Sequence, residues 1–288
     1  MKTMDYIIAT DADSELDLPF VQAHNVPVFP MPLMLDGEEY NYDLGITVTI
    51  PDFFERLAAG AGFSTSCKPP WEIKEWFRSL AQERSKNILY LGLSNQLSQH
   101  FNNCVMAANE LMEEDPSVKI LLVDTLSISI GQSALIYRAY KMQEQGASME
   151  EIAEWTEQNK NKTVMLFSVD DLNYLKRGGR LSGSAAFFGT VLDIKPILCC
   201  NEEGRLVVQE KAKGRRKAWR RLADIAQEKI GEKGGTLLLT YSLLEGRQFI
   251  EKQLSEHCPL IKIVPMQLGP VIGGHTGPGV VGLAFIEE

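Results

Sequence analysis

Short runs of β-branched and aromatic residues alternate with amphipathic stretches through the first half of the chain. Strands are expected over 6–9, 28–35, 88–93 and 118–124, each an apolar run of strand length. Between and after them, apolar residues recur at three- and four-residue spacing over 51–59, 70–84, 97–112, 129–145 and 149–160, the period of a helix with one buried face. Strands that alternate with helices imply right-handed crossovers and a mostly parallel, Rossmann-like α/β sheet. Ligands are then expected beyond the carboxyl ends of its strands.

The rhythm changes after the charged stretch at 149–160. Strands are expected over 163–169, 194–200, 206–209, 236–241, 261–266 and 280–286, with helices over 184–191, 216–230 and 244–257. The runs at 194–200 and 206–209 flank a short polar turn with a late glycine, Gly204, and read as a hairpin. This half is therefore expected to be α+β with a mixed sheet. The division falls near Gln158, giving an N-terminal domain over 1–158 and a C-terminal domain over 159–288. No internal repeat or low-complexity linker interrupts either half.

Composition narrows the classes. At 288 residues and 44% hydrophobic content, the chain can bury one large or two medium cores without disulfides. No run reaches the roughly 18 apolar residues of a membrane span. Nor do the opening residues carry a basic and apolar leader. A soluble, cytoplasmic protein is expected. Five cysteines, Cys67, Cys104, Cys199, Cys200 and Cys258, lack zinc-site spacing, so no metal is expected, and they suit a reducing compartment. A net charge of −9 argues against nucleic acid as a partner, since phosphate affinity comes mainly from accumulated Lys and Arg. The exception is a basic block from Lys211 to Arg221, with Arg215 and Arg216 at its centre, which reads as a solvated helix face or as a docking surface for an acidic partner.

Three motifs carry chemistry. The stretch from Gly269 to Thr276 nearly matches a phosphate-binding loop, with His275 in the lysine position. The Gly277-Pro278-Gly279 breaker and the strand that follow do not provide the helix such a loop feeds. Gly92-Leu93-Ser94-Asn95-Gln96 resembles a nucleophile elbow, and the order Ser94, Asp124, His275 is that of an α/β-hydrolase, although Gln96 replaces the last glycine. Against this serine-hydrolase reading, acting on an acyl ester, stands an anion clamp. The hydroxyls of Thr65, Ser66 and Ser94 with His275 and Arg180 supply the donors a buried carboxylate requires.

The motifs together resemble the DegV family of bacterial fatty-acid-binding proteins, of the FakB type. The resemblance runs through Thr65-Ser66, the stretch from Leu93 to Ser98, Val123-Asp124-Thr125, the block from Asp171 to Arg180, the stretch from Ile194 to Leu198 and the segment from His275 to Gly279. It implies a long-chain fatty acid held between and within two domains, with no catalysis and no cofactor. Thr65, Ser94 and His275 would bind the carboxylate and Arg180 would support them. The implied partner is a separate fatty acid kinase that makes an acyl phosphate for phospholipid metabolism, docked at Arg215 and Arg216. Phe187, Phe188 and Leu192 are the expected acyl-chain contacts. Three stretches depart from the family pattern: Asp11-Ala12-Asp13-Ser14-Glu15 after the first strand, Cys67-Lys68 after the threonine-serine pair, and Gln99-His100-Phe101 after Ser98.

Overall fold

The computed structural model describes residues 5–181 and 193–287, so the helix expected over 184–191 and the residues Phe187, Phe188 and Leu192 lie outside the described residues. The first half contains β1 (Ile7–Asp11), α1 (Leu18–His24), β2 (Val28–Phe29), β3 (Met31–Leu35), β4 (Glu38–Tyr42), α2 (Phe53–Ala58), β5 (Phe63–Thr65), α3 (Pro70–Glu83), β6 (Asn87–Gly92), α4 (His100–Glu114), β7 (Lys119–Asp124), α5 (Ile130–Glu144) and α6 (Met149–Asn159). The second contains β8 (Thr163–Ser168), α7 (Asn173–Arg177), β9 (Ile194–Cys200), β10 (Leu206–Lys213), α8 (Arg215–Ile230), β11 (Gly235–Tyr241), α9 (Leu244–His257), β12 (Ile261–Gln267), α10 (Pro270–Thr276) and β13 (Val281–Ile286).

A parallel sheet in the order β2-β1-β6-β7 forms the first half, as the alternation requires. Ile88 to Leu91 of β6 are all buried, the pattern of a strand covered on both faces. Ile73 and Phe77 of α3, Ala107 and Leu111 of α4, Ile136 and Ala139 of α5 and Ile152 of α6 share its core. The single strand expected over 28–35 is two. Pro30 has no N–H to give a ladder, and β3 leaves the parallel sheet to pair with β4 and β5 in a small antiparallel one. Asp36 and Gly37, both in the left-handed region (φ 52° and 82°), turn β3 into β4.

The second half is a mixed six-stranded sheet, β10-β9-β8-β13-β11-β12, in which only β11 and β12 run parallel. The expected hairpin is present as β9 and β10, longer than expected because β10 continues through a bulge at Val208–Glu210. Alternation divides the sheet's faces. Leu237 and Leu239 of β11 and Leu283 of β13 pack with Trp219 and Leu222 of α8 and Ile250 of α9. Leu238, Ala284, Met165 and Phe167 face the other way, toward Ile130 and Ala134 of α5 in the first half. Among the described residues no helix is long and apolar enough to cross a membrane.

The glycine-rich segment read as a loop is a helix, α10. Pro270 fits its first turn, where no N–H is needed. Two glycines cost helix propensity, and packing returns it: a Cβ on Gly274 would lie 2.1 Å from Cζ of Phe63. The aromatic ring occupies the space a side chain would take.

Candidate functional site

Where the carboxyl ends of β1 and β6 meet the inner face of the six-stranded sheet, the packing leaves a cavity of about 290 Å³. Most of its wall is apolar, with Met31, Leu97, Ile128, Met165, Phe167 and Ile272 among the contributors. One region is polar. Thr65, Ser66, Cys67, Ser98, Arg180 and His275 border it there, drawn from β5, the loop after β6, the turn after α7, and α10.

Thr65 Oγ1 and His275 Nε2 are 2.8 Å apart, which joins residues 210 positions distant in sequence. Phe63, two residues before Thr65 on β5, meets the imidazole edge to face at 5.4 Å. Gly178 lets the opposite wall approach, since a Cβ there would lie 2.6 Å from His275 Nδ1. Burial first, and then the Arg180 charge, pull the His275 pKa down to about 4. The ring is therefore neutral near pH 7. Arg180 is held by the carbonyls of Leu97, at 3.4 Å from its Nε, and of Gly178. Thr65, His275 and Arg180 are thus brought together on one cavity wall. Those three residues also border a second cavity of about 470 Å³, with Tyr174 and Arg177 on its wall.

Ser94 is not part of that assembly. Its buried Oγ donates to the Gly204 carbonyl at 2.8 Å and accepts from the Gln96 amide at 3.2 Å, fastening the turn between β9 and β10. Ser98, four residues on, supplies the hydroxyl that borders the cavity, with Cys67 Sγ 3.3 Å from its Oγ. The hydrolase arrangement is not formed either. Asp124 accepts from the amides of Asn95 and Leu126 rather than from an imidazole, and His275 bonds Thr65 rather than Ser94. Both clusters use the residue types that sequence order suggested, in different pairings.

The acidic turn after β1, which departs from the family pattern, is buried. Asp11 caps a one-turn helix over Ala12–Ser14 and accepts from Tyr90 Oη at 2.8 Å, Gln132 Nε2 at 3.1 Å and the Leu93 amide at 3.3 Å. Burial raises its pKa to about 6 despite these donors. Asp13 borders the cavity, and burial together with Asp11 and Glu15 holds its carboxyl well above the usual range. Glu15 accepts from the Ser129 hydroxyl and, at 2.6 Å, from the amide of Gly269, the residue that caps α10. A side-chain carboxyl thus occupies the helix terminus that a phosphate-binding loop would offer its ligand.

The basic block is α8 and its approach, and three of its arginines, Arg215, Arg216 and Arg221, meet acids. Arg215 pairs with Asp170, which Lys195 also meets at 3.7 Å. Arg221 forks onto Glu210 at 2.8 and 3.1 Å. Arg216 points outward, its side chain 77% exposed, 3.1 Å from Glu245.

Fold and site together define an α/β protein with an apolar cavity closed at one region by hydroxyls, a neutral histidine and an arginine. The chain belongs to the DegV family: the family model, described as an uncharacterised protein of that family, matches residues 6–288. A DegV domain-containing protein of Clostridium perfringens is 34% identical over 285 residues, 98% of either chain. Two solved structures superpose with TM-scores of 0.85 at 28% identity. One is a DegV family protein from Thermus thermophilus described by its fatty acid binding, covering 98% of this chain and 100% of that one. The other is a fatty acid binding DegV family protein from Streptococcus agalactiae, covering 99% of this chain and 100% of that one.

Proposed function

We propose that this protein binds a long-chain fatty acid in the 290 Å³ cavity, its carboxylate at Thr65, Ser98 and His275 with Arg180 behind them, and carries it without reacting it. The observation that carries this reading is an apolar cavity whose polar region is built around the Thr65–His275 hydrogen bond. Each methylene removed from water contributes about 0.8 kcal/mol, so the wall holds the chain and the clamp orients its head. A neutral His275 avoids the cost of a second buried cation beside Arg180, and burial, which favours the protonated form of Asp13, weakens its repulsion of the carboxylate. The fatty-acid-binding relatives support the same ligand class.

The reading extends to a cytoplasmic carrier of two domains, divided near Gln158, that presents the carboxylate to a separate fatty acid kinase for phospholipid metabolism. The second cavity shares the clamp residues, which gives a partner a route to the carboxylate. Arg216 is the docking candidate that costs the fold least to change, since its ion pair with Glu245 is exposed on both sides, whereas Arg215 is committed to Asp170. Arg216→Glu is expected to slow kinase-dependent acyl phosphate formation, more at low salt than at high, and to leave palmitate affinity unchanged. Turnover at the wild-type rate would remove Arg216 from the docking surface.

A further inference from the structure

The wall of the cavity contains a carboxyl that an unsubstituted acyl chain cannot use. Asp13 is only 3% exposed, borders the cavity, and its side chain receives no hydrogen bond from any described residue. The other acids of the same turn are satisfied: Asp11 by Tyr90 and Gln132, Glu15 by Ser129 and Gly269. The Asp13 backbone cannot swing it away. Its amide is bonded to Asp11 Oδ1 at 3.1 Å, and its carbonyl accepts from the Ser129 amide at 2.9 Å. A buried polar group without a partner costs free energy that methylenes do not return.

Resting on the fatty-acid reading, we propose that the preferred ligand is an oxygenated acyl chain, a long-chain fatty acid with a hydroxyl near its carboxyl end, and that Asp13 is the residue that reads the hydroxyl. The placement near the head follows from the surroundings. Asp13 lines the same cavity as Arg180 and His275, and the Arg180 charge acts on both. Burial favours the protonated carboxyl, which both donates and accepts, and the ionised form still accepts, so a ligand hydroxyl is met in either state. The buried hydroxyls of Ser129 and Thr276 on the same wall are already spent, on Glu15 and on the Ile272 carbonyl. Thr240 Oγ1, on the same wall and without a partner among the described residues, is the other free polar group there, and the Asp13 variants separate its contribution from that of the carboxyl.

The test is calorimetric titration of the delipidated full chain with palmitate and with 2-, 3- and 4-hydroxypalmitate, repeated in Asp13→Ala and Asp13→Asn. At least one hydroxy isomer is expected to bind the wild type about tenfold or more tighter than palmitate. Asp13→Ala is expected to abolish that preference, read as the ratio of hydroxypalmitate to palmitate affinity within the variant. Asp13→Asn, which keeps a neutral donor and acceptor, is expected to retain most of it. Equal binding of all four acids by the wild type, or a preference that survives in Asp13→Ala, overturns the proposal and leaves the fatty-acid reading standing. Failure of the wild type to bind any of the four overturns the fatty-acid reading itself.

Discussion

His275→Ala is expected to weaken palmitate binding by about 10-fold to 100-fold, the range set by roughly 1.5–3 kcal/mol for a hydrogen-bonded group serving an ionised partner. The imidazole acts through Thr65, 2.8 Å away, because a neutral ring carries a single N–H. When Thr65 gives its proton to the carboxylate, its oxygen can accept only from a donor, and His275 Nε2 is that donor. Alanine leaves the hydroxyl free to turn and admits water beside the head group. The two residues therefore act as a unit, and a Thr65→Val, His275→Ala pair is expected to lose much less than the sum of the single losses. Folding is expected to survive, since α10 is held by Glu15 at its start and Phe63 against Gly274, neither of which touches the deleted ring's hydrogen bond. Titration calorimetry with a parallel melting curve separates the two effects.

Glu15→Gln is expected to change the pH dependence of stability by a comparable energy. Burial lifts the Glu15 pKa from 4.5 to about 7 in the folded protein, against the pull of Ser129 and Gly269. A carboxyl raised on folding contributes its stability in full below the unfolded value and loses it as pH rises through the folded one. Between about pH 4.5 and pH 8 the wild type therefore loses roughly 3 kcal/mol from this group, at about 1.36 kcal/mol per unit. Glutamine has nothing to ionise. The stability difference between variant and wild type, from urea midpoints across that window, is expected to move in the variant's favour by about this amount. His100 and His275, both pulled down to about 4 by burial, act in the opposite sense on acidification, but they are common to both proteins and cancel in the difference. A flat difference would mean that Glu15 is ionised throughout.

Periodicity gave the parallel half, the mixed half and the hairpin at β9 and β10, because those elements are set by local apolar spacing. What it lost depends on partners distant in sequence. Glu38, Glu39 and Asn41 make β4 look like loop, and only the Asp36-Gly37 turn signals its pairing with β3. The glycines of α10 conceal a helix because the side chains that would stabilise it are replaced by the rings of Phe54 and Phe63. The clamp was legible in its ends, Thr65 and His275, whose residue types and family setting agree. Ser94 turns to the Gly204 carbonyl and Ser98 to the cavity, because two serines of one loop differ only in which way the turn directs them. Asp13 stood out only within a stretch that departs from the family pattern. Nothing in the local sequence shows that the fold buries three neighbouring acids.

The most direct test of the central claim is lipid extraction and mass spectrometry of the protein purified from a bacterial host. A stoichiometric long-chain fatty acid is the expected result. A preparation free of lipid that also fails to take up added fatty acid would contradict it.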